Sequence, residues 1–253
     1  MAVLDGRHAL VTGGGRGIGR AIAAALADAG ASVTVAGRKE QPLKDAVSKG
    51  HAAGYFTADV TDARALADGI ARAAAERGPF DILIANAGGA ESASFMKTQP
   101  DQFRRLFELN VMSVVHSARA VLAAMTARGF GRVVVISSTA GLRGAPYISA
   151  YCASKHAVVG LVRSLALETA RTGVTVNAVC PGYTDTDLVN TSLDRIAAQT
   201  GRGRDDALTA ILKDKPLGRL IRTDEVAAAV LYLCSPSAAA VTGSTLTIAG
   251  GEI

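Results

Sequence analysis

His8-Ala9-Leu10-Val11-Thr12 runs directly into Gly13-Gly14-Gly15-Arg16-Gly17-Ile18-Gly19, an apolar pentapeptide followed by five glycines in seven residues. The first five residues read as a short buried strand. From residue 17 to 29, Ile18, Ile22, Ala25 and Leu26 recur on one face, which is the pattern of a helix. A strand that turns through glycine into a helix aims the first N–H groups of that helix into the turn. Without side chains, the backbone can approach an anion such as a pyrophosphate. The spacing is TGxxxGxG rather than GxGxxG. A tight turn with close helix packing is the alternative reading of the same residues.

Outward from this segment the alternation repeats. Residues 32–36 (SVTVA), 53–58, 81–85 (DILIA), 131–137 (GRVVVIS), 174–180 (VTVNAVC) and 244–248 (STLTI) read as strands. Helices are expected at 41–49, at 62–77 with Asp62 as cap, and at 100–128, 150–172 and 223–234. Seven short strands between six or so helices mean βαβ crossovers of right-handed sense. The expected architecture is α/β, a single Rossmann-type doubly wound parallel sheet of about seven strands with helices on both faces. One domain spans 1–253, and only 187–215 breaks the rhythm, as an insertion of one or two helices.

Composition agrees. In 253 residues, 49% are hydrophobic and 19% charged, which excludes a disordered chain. Ala, Val, Leu and Ile supply the apolar mass, with eleven aromatics and no Trp, as suits helices laid on a buried parallel sheet. Cys152, Cys180 and Cys234 show no CxxC spacing, so neither a disulfide framework nor a metal site is expected. His51, His116 and His156 have no ligand spacing with Cys, Asp or Glu. The start resembles no signal peptide, and apolar runs fall short of about 18 residues. A cytoplasmic protein without a membrane span is the expectation. The net charge is +5, and residues 195–222 carry seven basic groups against three acidic ones. Charge gathered in one window, without interleaved aromatics, suits a small anionic ligand better than nucleic acid.

Tyr151-Cys152-Ala153-Ser154-Lys155 places a phenol and an ammonium four apart, on one face of a helix. A neighbouring ammonium favours phenolate and lowers the phenol pKa from about 10. Such a group is a general acid for an alkoxide. This helix follows the fifth strand, which ends in Ser137-Ser138, and strand carboxyl ends line the ligand crevice of a doubly wound sheet. A solvated helix face is the alternative.

TGGGRGIG, Asn86-Ala87-Gly88, Asn110, Ser138, YCASK and PGYTDT at 181–186 stand in the order and spacing of the short-chain dehydrogenase/reductase family. The resemblance runs from about His8 to Gly251, and is strongest to reductases and dehydrogenases of 3-oxoacyl and 3-hydroxyacyl thioesters. It implies that Tyr151 is the acid/base. Lys155 would depress its pKa and hold the nicotinamide ribose. Ser138, rather than its neighbour Ser137, would bind the substrate oxygen. Asn110 would complete a proton relay to Lys155 through water; otherwise it is a helix-kinking Asn satisfied by backbone. Gly13, Gly17 and Gly19, with Arg16 and Ile18, would form the phosphate turn. Asp59 and Val60 would contact adenine, Asn86, Ala87 and Gly88 would lie under the ribose, and Pro181, Gly182, Thr184 and Thr186 would hold the carboxamide. It also implies a homotetramer.

Cofactor preference follows from charge. NAD sites place a carboxylate at the end of the second strand, for the ribose 2′-hydroxyl. Here Ala36-Gly37-Arg38-Lys39 has none before Glu40. Arg38 and Arg16 together could clamp a 2′-phosphate, so NADP(H) is preferred and NAD(H) remains possible. The expected reaction is hydride transfer between NADP(H) and a carbonyl or secondary alcohol, on a small molecule such as a coenzyme A or acyl-carrier-protein thioester. An NAD-dependent dehydrogenase of another alcohol, and a non-catalytic redox sensor on the same fold, stay open. Residues 187–215 are expected to form a substrate lid, whose Arg195, Arg202, Arg204, Lys213 and Lys215 would attract phosphate.

Overall fold

The computed structural model describes residues 2–187, 189–191, 193–194, 201, 203–213 and 215–253. Seven parallel strands form one sheet: β1 (His8–Thr12), β2 (Ser32–Gly37), β3 (Gly54–Thr57), β4 (Ile82–Ala85), β5 (Gly131–Ile136), β6 (Val174–Pro181) and β7 (Thr245–Ile248). Their order across the sheet is β3-β2-β1-β4-β5-β6-β7. The chain builds outward from β1 to β3, then crosses back to lay β4 on the other side of β1. Ala9 therefore pairs with Val33 on one flank and Ile82 on the other. That reversal opens a crevice beyond Thr12 and Ala85, where ligands of doubly wound sheets bind.

Residues alternating along the strands feed two cores. Ala9, Val11, Val33 and Val35 face one side with Ile22 and Leu26 of α1 (Gly17–Asp28), Leu43 of α2 (Glu40–Ser48) and Val226 and Val230 of a helix at Thr223–Cys234. Leu10, Leu83, Val133 and Val176 face the other. There they meet Leu66 and Ile70 of α3 (Ala63–Arg77), Val114 and Val121 of α5 (Ser113–Ala127), and Val158 and Val162 of α6 (Ser149–Thr169). Continuous apolar strands are what a sheet covered on both faces requires. The fold class matches the expectation drawn from the alternation.

One expected element is divided. In place of a single helix over 100–128 there are α4 (Pro100–Phe107), a π turn at Glu108–Met112, and α5. The π turn carries one extra residue, and the Ser113 hydroxyl donates to the Leu109 carbonyl at 2.6 Å. Among the described residues, Pro100–Ala127 is long and apolar enough to cross a membrane by length and composition. Here Val111, Val114, Ala118, Val121 and Met125 of that stretch are buried against the sheet. After β6 come α7 (Arg204–Leu212) and α8 (Thr223–Cys234). Of the expected lid cations, Arg195 and Arg202 lie outside the described residues.

Asp62 caps α3 as its sequence position implies, accepting from the N–H groups of Arg64 and Ala65 at 3.0 Å each. Asp62→Ala leaves those donors without their cap, so urea unfolding should show a loss of about 1 kcal/mol. An unchanged midpoint would remove the cap from the account of α3.

Candidate active site

The glycine turn is held from across the sheet. Asn86, just past β4, donates through Nδ2 to the carbonyls of Thr12 (3.0 Å) and Gly13 (3.3 Å). The Thr12 hydroxyl accepts from the N–H groups of Asn86 and Ala87 at 3.1 and 3.2 Å. Gly19 is required by this packing. A Cβ there would stand 2.3 Å from the Gly13 carbonyl oxygen and 2.5 Å from Asn86 Nδ2. No side chain caps α1, whose N-cap is Arg16. Its first N–H groups therefore face the turn without a side-chain acceptor, which is the donor set an anion needs. Beside it lies a cleft of about 330 Å³ lined by residues that include Arg16, Gly17, Arg20 and Thr186. The side chain of Asn86, expected under a ribose, is spent on the turn.

A second group gathers at the ends of β4 and β5. Asn110 sits in the π turn, only 1% exposed. Its Nδ2 donates to the Gly89 carbonyl and to Ser154 Oγ, both at 3.0 Å, and its Oδ1 accepts from the Gly89 N–H at 2.9 Å. Both amide hydrogens are committed, so the side chain has none to pass into a relay. Gly88 lacks a Cβ where one would meet Asn110 Oδ1 at 2.8 Å and Lys155 Nζ at 3.7 Å. Lys155 is 5% exposed and donates to the Ile136 carbonyl at 2.8 Å. Ser137 donates to the Lys155 carbonyl at 3.3 Å, whereas Ser138 stands at the Tyr151 hydroxyl.

Electrostatics departs from the expectation for Tyr151. Burial pushes its hydroxyl up to about 12, and the hydrogen bond with Ser138 recovers only part of that. Lys155 Nζ is 5.8 Å from the ring centroid and turned toward Ile136, so in the protein alone it does not bring the phenol down. Burial takes Lys155 itself down to about 8. Tyr151 therefore keeps its proton at neutral pH, and Lys155 keeps most of its charge.

The remaining expected residues spread along the same edge. Arg38 is exposed, its side chain at 70%, and its guanidinium is 3.9 Å from Asp59. Asp59 accepts from the Thr61 N–H and hydroxyl at 3.0 and 2.8 Å, which holds its carboxyl below the usual range. Val60 is buried in the core, leaving only its backbone for a ligand. Pro181 ends β6, and the Gly182 N–H donates to Ile248 in β7. Thr186 Cγ2 approaches Gly17. Arg204 is paired with Asp194 at 3.0 Å, and Lys215 with Glu252, so two of the expected lid cations are already neutralised. Thr12 and Ser154, quoted in the motifs but given no role there, and Glu252 take part in holding the site. For the first two the available signal is a polar residue at the end of an apolar strand and one inside YCASK.

An uncapped helix N-terminus, a glycine cradle and a buried ammonium with one acceptor among the described residues fit a dinucleotide, whose phosphates would lie at α1 and whose ribose beside Lys155. The chain belongs to the short-chain dehydrogenase family, whose model matches residues 7–196. It is 39% identical over 246 residues to the acetoacetyl-CoA reductase of Rhizobium meliloti (strain 1021), across 97% of this chain and 98% of that protein. It is 36% identical to the 3-oxoacyl-acyl-carrier-protein reductase of Salmonella typhimurium (strain LT2), across 98% and 97%. A solved structure of an actinorhodin polyketide ketoreductase variant with NADPH superposes with a TM-score of 0.94, at 36% identity and 100% and 99% coverage.

The depressed lysine makes stability depend on pH. Between about 8 and the ordinary lysine value the unfolded chain binds more protons than the folded one, so this group makes stability rise with pH there. Below that window the burial cost is present in full. Lys155→Met should therefore stabilise the fold at pH 7 by on the order of 2 kcal/mol while abolishing turnover. The gain should shrink as pH climbs from 8 toward 10. Thermal melts across that range check it, and a pH-independent difference would count against a buried charge.

Proposed function

We propose that this chain is an NADP(H)-dependent reductase of 3-oxoacyl thioesters, running in reverse as a 3-hydroxyacyl dehydrogenase. The observation that carries the reading is a protonated, half-buried Tyr151 beside Ser138, with charged Lys155 behind it, at the strand ends next to a helix N-terminus suited to an anion. When bound, the dinucleotide exchanges a hydride with the substrate carbon. The protein's own residues handle the oxygen. The Ser138 and Tyr151 hydroxyls converge to donate to a carbonyl oxygen, where negative charge develops. Tyr151, with a pKa well above neutrality, then gives its proton to that oxygen. Lys155, whose ammonium is turned to Ile136 in the protein alone, would offset the charge of the phenolate only once it swings toward the Tyr151 hydroxyl. In this reading Asn110 does not relay protons through its side chain; it holds Gly89 and Ser154 in register.

The thioester substrate rests on what the relatives named above act on. NADP(H) rests on Arg38, which is exposed at the end of β2 and only loosely paired with Asp59, and on Arg16 at the turn. This reading puts the enzyme in the cytoplasm, as a single domain with 187–215 as its lid. A homotetramer would use the half-exposed edge strand β7 and the outer face of α6, where Leu167 is exposed. A concentration-independent monomer in light scattering would remove that part.

Acetoacetyl-CoA assayed with NADPH and NADH tests the reaction. Tyr151→Phe should lower kcat by at least about 10²-fold while NADPH still binds. Turnover near the parent's would rule out the assigned acid, and a chain that binds dinucleotide but turns over no carbonyl would be a sensor. Because Lys155 titrates near 8, kcat/KM for reduction should fall as pH rises through that value. Arg38→Asp should weaken NADPH more than NADH, by roughly 1–3 kcal/mol. Equal losses would mean that Arg38 does not read the 2′-phosphate.

A further inference from the structure

Three segments close to Tyr183 converge on one carboxylate. Glu252 follows β7, and its side chain is only 6% exposed. Its Oε1 accepts from Arg143, in the loop after β5, and from Lys215, just beyond α7. Its Oε2 rests against Gly182, where an added Cβ would come within 2.9 Å. Lys215 Nζ lies 5.1 Å from the ring centroid of Tyr183. Tyr183 in turn is close enough to feel the charges of both Glu252 and Arg143, and its own hydroxyl bears on Tyr151. Leu217 packs over the Gly250 backbone, so the chain after Lys215 and the chain after β7 meet along their length.

These residues are far apart in sequence, with 109 positions between Arg143 and Glu252 and 37 between Lys215 and Glu252. An exposed ion pair contributes little, but a buried carboxylate cannot lose a partner without leaving charge uncompensated. Among the described residues Glu252 is the anion of this cluster, and it therefore decides whether the loop after β5 and the segment at 215–217 stay docked on the end of β6.

We propose that Glu252 is a positioning residue for the substrate mouth, tying the Arg143 loop and the Lys215–Leu217 segment to Gly182 and so setting how the entrance beside Tyr183 is held. The inference rests on the reading that a carbonyl substrate reaches Tyr151 through that entrance. Glu252 touches none of the reacting atoms, so its effect should fall on substrate capture rather than on the chemical step.

The test uses the full chain with Glu252→Gln, which removes the charge and keeps the shape, and Glu252→Asp, which keeps the charge. Amide hydrogen exchange is followed over residues 143–147 and 217–218, alongside kcat and KM for acetoacetyl-CoA with NADPH. In Glu252→Gln, exchange in both segments should rise by about tenfold or more, and KM should rise about tenfold while kcat moves less than about threefold. Glu252→Asp should recover most of both effects. Unchanged exchange in both segments overturns the proposal. So does a lowered KM, which would make Glu252 a mask over Arg143 and Lys215 instead, or a loss that Glu252→Asp fails to recover. Should the parent chain reduce no 3-oxoacyl thioester, the substrate reading fails, and the exchange comparison alone still decides for or against the clamp.

Discussion

The hydrogen bonds from Asn86 to Thr12 and Gly13 join the ends of two strands more than seventy residues apart, and the rest of the site is built on that junction. They fix the glycine turn, and with it the direction of α1. They also fix where the chain leaves β4, which places Gly88 and Gly89. Gly89 then binds Asn110 on both sides of its peptide group, and Asn110 reaches Ser154 on α6. Ser154 donates to the Tyr151 carbonyl, and Lys155 returns to the sheet at Ile136. One connected set of polar contacts thus runs along the carboxyl edge, from the glycine turn to Tyr151 and Lys155. Such networks are stable only when nearly every member is satisfied.

The members proposed to perform the chemistry sit where burial works against their charged forms. Lys155 carries three donors and, among the described residues, one protein acceptor in a site that water scarcely reaches, and burial lowers its affinity for its proton. Tyr151 is affected in the opposite direction, because burial penalises phenolate. Together these shifts leave a protonated acid beside a cation that its surroundings barely tolerate. Apolar side chains would make a more stable edge, and they would have nothing to exchange with an oxygen.

Charge elsewhere is arranged more locally than its total suggests. The basic excess between residues 195 and 222 is partly paired within the protein. Arg204 meets Asp194, Arg219 meets Glu225, and Lys215 meets Glu252. The +5 total is therefore a poor guide to the potential at the mouth. Arg38, exposed at the end of β2 and only loosely paired with Asp59, bears more directly on which ligand the crevice takes.

The sequence alone determined the sheet, its parallel strands and the glycine turn, because apolar periodicity and glycine spacing act over a few residues. It also placed Ser138, Tyr151 and Lys155 on adjoining elements, since strand ends and a one-face helix spacing are local as well. The tertiary structure decided what each group costs and whom it touches. The π turn presents Asn110 to Gly89 and Ser154, 21 and 44 residues away in the chain, and its side chain binds both. Tyr151 stays protonated because neighbours from several elements exclude water and Lys155 turns to Ile136. Glu252 gathers Arg143, Gly182 and Lys215 with no motif to announce it. Desolvation and hydrogen-bond competition depend on everything within a few ångströms, and those neighbours become neighbours only when the sheet is closed on both faces.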